Sequence, residues 1–202
     1  MNDALDRFRG NITRARDLRE LVVVLAPQVG PAVDLSDVLR ACIVSGVSAF
    51  DTLIHDQARI GMVECLQGTR TRTDAFGRFA VQMDGAILWN ANPASVQWLE
   101  VEVRRQHGWL AFQQPDKVAD AIRLISGKDL WKEVGVLLGI EAKSAKTRLA
   151  LIVDRRNKIA HEADMDPGSP GDRWPIDEGL VADALDTLLQ IGEAVHTVVT
   201  TP

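Results

Sequence analysis

Tyrosine is missing from the chain, and aromatic residues together make up only 5% of it. Burial must rest on Leu, Val, Ala and Ile, which pack in helices and strands alike, so periodicity has to decide the fold class. Cysteine occurs twice, as Cys42 and Cys65. Both fall on one predicted helix, roughly 35 Å apart along its axis, too far for an intrachain bridge. They read as buried free thiols of a cytosolic protein. His55, His107, His161 and His196 are scattered, with no cysteine beside them at metal-ligand spacing, so neither a metal nor a cofactor is expected. There is no Gly-rich phosphate loop, nucleophile elbow or cofactor fingerprint, which removes the common small-molecule enzymes. The opening MNDALDRFRG has no signal core, and no run approaches the roughly 18 apolar residues of a membrane span. The expectation is a soluble cytoplasmic protein without membrane contact. Positive charge is also short: the net charge is −5. Proteins that coat long nucleic acids are usually basic, so any contact with one is local, a phosphate or a few.

What remains is an ordinary globular composition, 46% hydrophobic and 25% charged over 202 residues, read as one domain spanning 1–202. The period is helical nearly throughout. Leu5, Phe8, Ile12, Ala15, Leu18, Val22 and Leu25 form one stripe, ended by Pro27 and Gly30–Pro31. Asp34 is read as the N-cap of a long helix reaching about Gln67, with Val33 and Val38 as a hydrophobic staple and Gly46 as a point of close helix approach. Residues 68–92 hold one or two short helices. Asn92–Pro93 starts another that Gly108 ends. Pro115 opens the next, and KDLWKEVGVLLG is a short helix. A helix over about 143–164, the loop DMDPGSPGDRWP and a last helix capped by Asp177 follow. The expected fold is all-α, a compact bundle of about seven or eight helices.

One segment carries chemistry. Lys143, Lys146, Arg148, Arg155, Arg156 and Lys158 face the single acid Asp154. Leu149, Ile152, Arg156, Ile159 and Ala163 step by three and four, which places Arg156 in an apolar seam. A charge there requires either an internal carboxylate, such as Asp51, or an anion arriving in a cleft. Asn157 and His161, four apart, share a face. Arg156 and His161, five apart, diverge by roughly 140°. One helix does not bring both onto a small substrate, but two copies crossing at a two-fold axis do, with Val153, Asn157 and Ala160 as a slim contact surface. His161 lies near the helix end, where a cationic imidazole is favoured. The competing reading is a histidine that merely caps carbonyls.

The string R-N-x-x-x-H in IVDRRNKIAHEAD resembles the R-x4–6-H motif of HEPN domains, in which the first variable position is commonly Asn, Asp or His. The wider order resembles the RiboL-PSP-HEPN branch: SAFDTLIHD in the long second helix, FQQPDKV, KDLWKEVGVLLG, and RWPI before the last helix. The likeness runs from about residue 35 onward. It implies a helical homodimer whose motifs face each other, and many members are metal-independent ribonucleases. Carried over by position, Arg156 binds or polarises the scissile phosphate. His161 transfers protons, and Asn157 orients the phosphate or His161. Arg155, Lys158 and Arg148 are candidate RNA contacts. Some HEPN toxins carry a tyrosine two positions after the histidine, modified by a nucleotidyltransferase antitoxin. Here that position is Ala163, so this control is absent. His55 and Asp56 also look like family features, but internal packing or ion pairing explains them equally well, and they stay outside the site.

The expected function is a metal-independent endoribonuclease that cleaves single-stranded RNA, a toxin or anti-phage defence effector with an antitoxin or defence-system partner. The alternative is a non-catalytic HEPN dimer that binds RNA or protein.

Overall fold

Helix α1 (Asn2–Val29) packs antiparallel against α2 (Ser36–Gln67) and α9 (Glu178–Thr200). Ion pairs show the register: Arg9 meets Glu193, and Arg16, seven residues further along α1, meets Asp186, seven residues back on α9. α2 and α9 run parallel. Gly46 faces Leu185 and Leu188, and Gln57, eleven residues on from Gly46, faces His196, eleven on from Leu185. A Cβ on Gly46 would lie 2.6 Å from Leu185 Cδ2, and one on Gly192 would lie 2.5 Å from Phe8. These two glycines allow the three long helices to approach. The structure, a computed structural model, describes residues 1–30, 33–169 and 171–201.

Around this triple lie α3 (Asp74–Gly77), α4 (Met83–Ala91), α5 (Gln97–His107), α6 (Pro115–Arg123), α7 (Leu130–Leu138) and α8 (Ala142–His161). α7 and α8 pack on each other and on α9, α8 also lies against α2, and α5 and α6 cover α2 further along. Among the described residues there are nine helices and no strand apart from a single bridge between Met165 and Arg173. The all-α bundle is as expected, with residues 68–92 supplying two short helices. One buried apolar cluster extends from Ala4 to Val199.

Several local expectations change. α1 continues through Pro27 to Val29 and stops at Gly30, whose φ is +64°. A proline in the last turn removes only one intrahelical donor, and Gln28 Nε2 donates to Val24 O in the same turn. Pro31, the other half of the expected stop, lies outside the described residues, as does Pro170 in the later loop. Leu18 and Leu25 lie on the exposed side of α1. Asn92–Pro93 forms a turn, with Ser95 N donating to Asn92 O, and α5 starts at Gln97. Proline suits the second position of a turn as well as the first of a helix. α2 starts at Ser36, whose N–H is accepted by Asp34 Oδ1 at 2.8 Å, so Asp34 caps from one position further out. By length and mean hydropathy, though not by an unbroken apolar run, α2 is long and apolar enough to cross a membrane. More than half of its most apolar stretch is buried within the bundle, as in the central helix of a packed core.

Candidate functional site

α8 presents the motif. Its fully buried positions are Ala145, Leu149 and Val153, stepping by four. The expected seam through Ile152, Arg156 and Ile159 is therefore its partly buried margin, and Ala163 is exposed beyond the helix. The shift has a consequence for dimerisation. Val153 belongs to the core of its own chain and offers nothing to a second copy, whereas Ala160 and His161 are at the surface and Asn157 is half-buried.

Arg155 and Arg156 diverge. Arg155 Nη2 donates to Asp164 Oδ2 at 2.8 Å and to the carbonyls of Trp174 and Pro175. Asp164 is wholly buried and also accepts from Arg40 Nε at 2.7 Å. Asp164 lies beyond the helix, with φ +59° following Ala163 at φ +50°. This left-handed pair folds the chain back so that Trp174 N reaches Asp164 O. Burial pushes the Arg155 pKa down, Asp164 opposes that, and Arg40 adds to it. Arg155 thus ties α8 and the following loop to α2 through Asp164, which also meets Arg40. Of the other expected RNA contacts, Lys158 pairs with Asp154 at 3.0 Å and lies over the Trp174 ring, and Arg148 is exposed.

Arg156 has a different environment. Its Nη2 donates to Gln113 Oε1 and its Nη1 to Asn157 Oδ1 at 3.0 Å. Among the described residues no carboxylate lies within ion-pair distance of it. Asp51, the expected alternative partner, instead accepts the Phe112 N–H at 2.6 Å. Other partly buried arginines have negative partners: Arg59 meets Asp56 and Glu100, and Arg70 meets Glu64. Arg72 caps the Cys65 and Leu66 carbonyls at the negative end of α2. Arg156 is held in place by the neutral amides of Gln113 and Asn157.

The loop that carries Gln113 is fastened from several sides. His55 Nε2 lies 3.2 Å from Leu110 O and must be the donor, because a carbonyl only accepts. The Phe112 ring packs against His55 at 4.5 Å and edge-on to His107 at 5.2 Å. Trp131 Nε1 donates to Pro115 O. His55 thus acts on the site through loop position, and Asp56 is taken up by Arg7 and Arg59. Sequence reading missed Gln113 because a polar residue ahead of a helix start is commonplace. The Gln–Pro opening drew attention to Gln114 and Pro115, one step away.

His161 is the last residue of α8, is exposed, and lies about 7.5 Å along the axis from Arg156. It shares a face with Asn157. Among the described residues no group of three or more His, Cys, Asp or Glu is placed to hold a metal ion. The arrangement is a guanidinium with no carboxylate partner among the described residues, amide groups around it, and an exposed imidazole about 1.4 turns further along α8. That set suits an anion that must be held and protonated or deprotonated. In comparisons with protein-family models, curated proteins and solved structures, nothing matches the chain.

Proposed function

We propose that the chain is a metal-independent HEPN-type endoribonuclease that cleaves single-stranded RNA at a site shared between two copies of itself. The observation that carries this reading is the half-buried Arg156, held by Gln113 and Asn157 with no counter-charge among the described residues, on the helix that ends in exposed His161. A partly desolvated cation without a carboxylate is costly unless an anion completes it. A phosphodiester is such an anion, and the R-N-x-x-x-H likeness names the same residues.

In the proposed reaction the 2′-oxygen forms a bond to the adjacent phosphorus as the bond from phosphorus to the 5′-oxygen breaks. The 2′-OH proton is taken up by a base, and the leaving 5′-oxygen receives a proton. The products are a 2′,3′-cyclic phosphate and a 5′-OH. Arg156 offsets charge on the non-bridging oxygens, His161 moves protons, and Asn157 orients the phosphate. The divergence of Arg156 and His161 on α8 requires that the second motif come from a partner copy, meeting across Asn157, Ala160 and His161. We place the protein in the cytoplasm, as a toxin or defence effector held in check by a partner.

The test is cleavage of single-stranded RNA by the pure protein in excess EDTA, with DNA left intact for want of a 2′-OH. His161→Ala should lower the rate by about 10²–10⁴-fold or more. Activity removed by EDTA, or retained in His161→Ala, defeats the mechanism. Complete inactivity of the wild type on varied RNAs transfers the reading to a binding module, which the net charge of −5 also suits.

A further inference from the structure

We infer that Gln113 is part of the anion site, as the residue that positions Arg156 without neutralising it and adds a second donor beside it. This rests on the proposed binding of a phosphodiester at Arg156.

The guanidinium has no acceptor atom, so the carboxamide atom facing Arg156 must be the oxygen of Gln113. The –NH₂ group on the same carbon is then fixed next to the guanidinium, and among the described residues it has no partner. Gln113 is only 8% exposed, yet its –NH₂ is not among the buried side-chain atoms left without a partner, so the donor reaches the surface beside Arg156. A donor that reaches solvent there can exchange its water for an arriving phosphate oxygen. Asn157 repeats the pattern: its oxygen accepts from Arg156 Nη1, and its own –NH₂ has no partner among the described residues. Two amides thus turn their oxygens to the cation and leave their donors for the ligand. The strap of Asp51, His55 and Trp131 holds residues 110–115 against α2 and α7, and so prevents Gln113 from swinging away. A glutamate in its place would hold Arg156 equally well and cancel its charge.

The experiment uses the full chain and a dye-labelled single-stranded 2′-deoxy oligonucleotide, a phosphodiester probe that lacks the nucleophile and is not cleaved. Anisotropy titrations compare wild type, Gln113→Glu, Gln113→Ala and Arg156→Ala, each checked by thermal melting. Gln113→Glu should melt at or above the wild-type temperature yet bind about ten- to a hundredfold more weakly. Gln113→Ala should bind more weakly than wild type and more tightly than Gln113→Glu. A purely structural glutamine would give the opposite pattern, with binding unchanged in the isosteric Gln113→Glu. Gln113→Glu binding like wild type while Arg156→Ala loses affinity overturns the role of Gln113 alone. No measurable binding by wild type, or undiminished binding by Arg156→Ala, overturns the anion site and the role of Gln113 together.

Discussion

Arg155 turns its guanidinium onto the buried carboxylate of Asp164, which Arg40 also grips, whereas Arg156, the next residue, ends between the carboxamides of Gln113 and Asn157. Both are partly buried on α8. The difference lies in what receives them. A carboxylate fixes an arginine and offsets charge, and Asp164, set between Arg40 and Arg155, holds α2, α8 and the loop to Trp174 together. Amide oxygens fix an arginine and leave the charge in place. The first arrangement suits a structural joint and the second an anion site.

The largest expected effect separates the two directly. Asp164→Asn keeps a residue that tolerates φ +59° but removes the charge between Arg40 and Arg155. Urea unfolding should show a loss of about 3–5 kcal/mol, since breaking a buried pair strands the opposite charge. Arg156→Ala should cost about 1 kcal/mol, the scale of ordinary hydrogen bonds. Equal losses would erase the distinction between joint and site.

Asp51→Ala tests how the site depends on its strap. The Phe112 N–H loses its acceptor, and unfolding should be easier by about 1–3 kcal/mol. RNA cleavage should fall as well, because Gln113 is freed. Hydrogen exchange at Phe112 should accelerate; unchanged exchange would show that Asp51 does not hold the loop.

A smaller effect concerns pH. His107 packs on the same strap against Phe79 and Phe112, and burial, with His55 nearby, pushes its pKa below the ordinary 6.5. The folded state therefore resists a proton that the unfolded chain accepts. The stability His107 contributes is full above about pH 6.5 and is lost as pH falls toward the lower folded-state value. His196, also lowered by burial, acts with the same sign. His107→Phe should reduce, without abolishing, the drop in urea midpoint between about pH 7 and about pH 5. An unchanged slope would mean that His107 does not titrate differently in the two states.

The smallest effect is expected at Lys158, a surface partner of Asp154. Lys158→Ala should change stability by no more than about 0.5 kcal/mol. A loss above about 1 kcal/mol would put Lys158 with Arg155 as a structural cation.

Residues 177–200 and 36–67 were legible in advance because their signals are local. Asp177 caps α9 through Leu180 N, and Gly46 is the close-approach point. The period leaves the seam of α8 open by a fraction of a turn. Leu149–Ile152 and Leu149–Val153 both satisfy a helical period, and only the neighbours α2, α7 and α9 choose between them. The helical period alone carries α8 on to Asp164, whereas the helix ends at His161 and Ala163 and Asp164 both adopt positive φ.

By itself, then, the sequence determined the helical class, most helix positions, and the string Arg156, Asn157 and His161 on one helix, because periodicity and caps are set by residues a few positions apart. Only the tertiary structure decided which arginine meets a carboxylate. That choice depends on Asp164, nine residues past Arg155, and on Gln113, 43 residues before Arg156. A guanidinium is chemically the same in every sequence, and what stands opposite its charge depends on the atoms the fold brings to it.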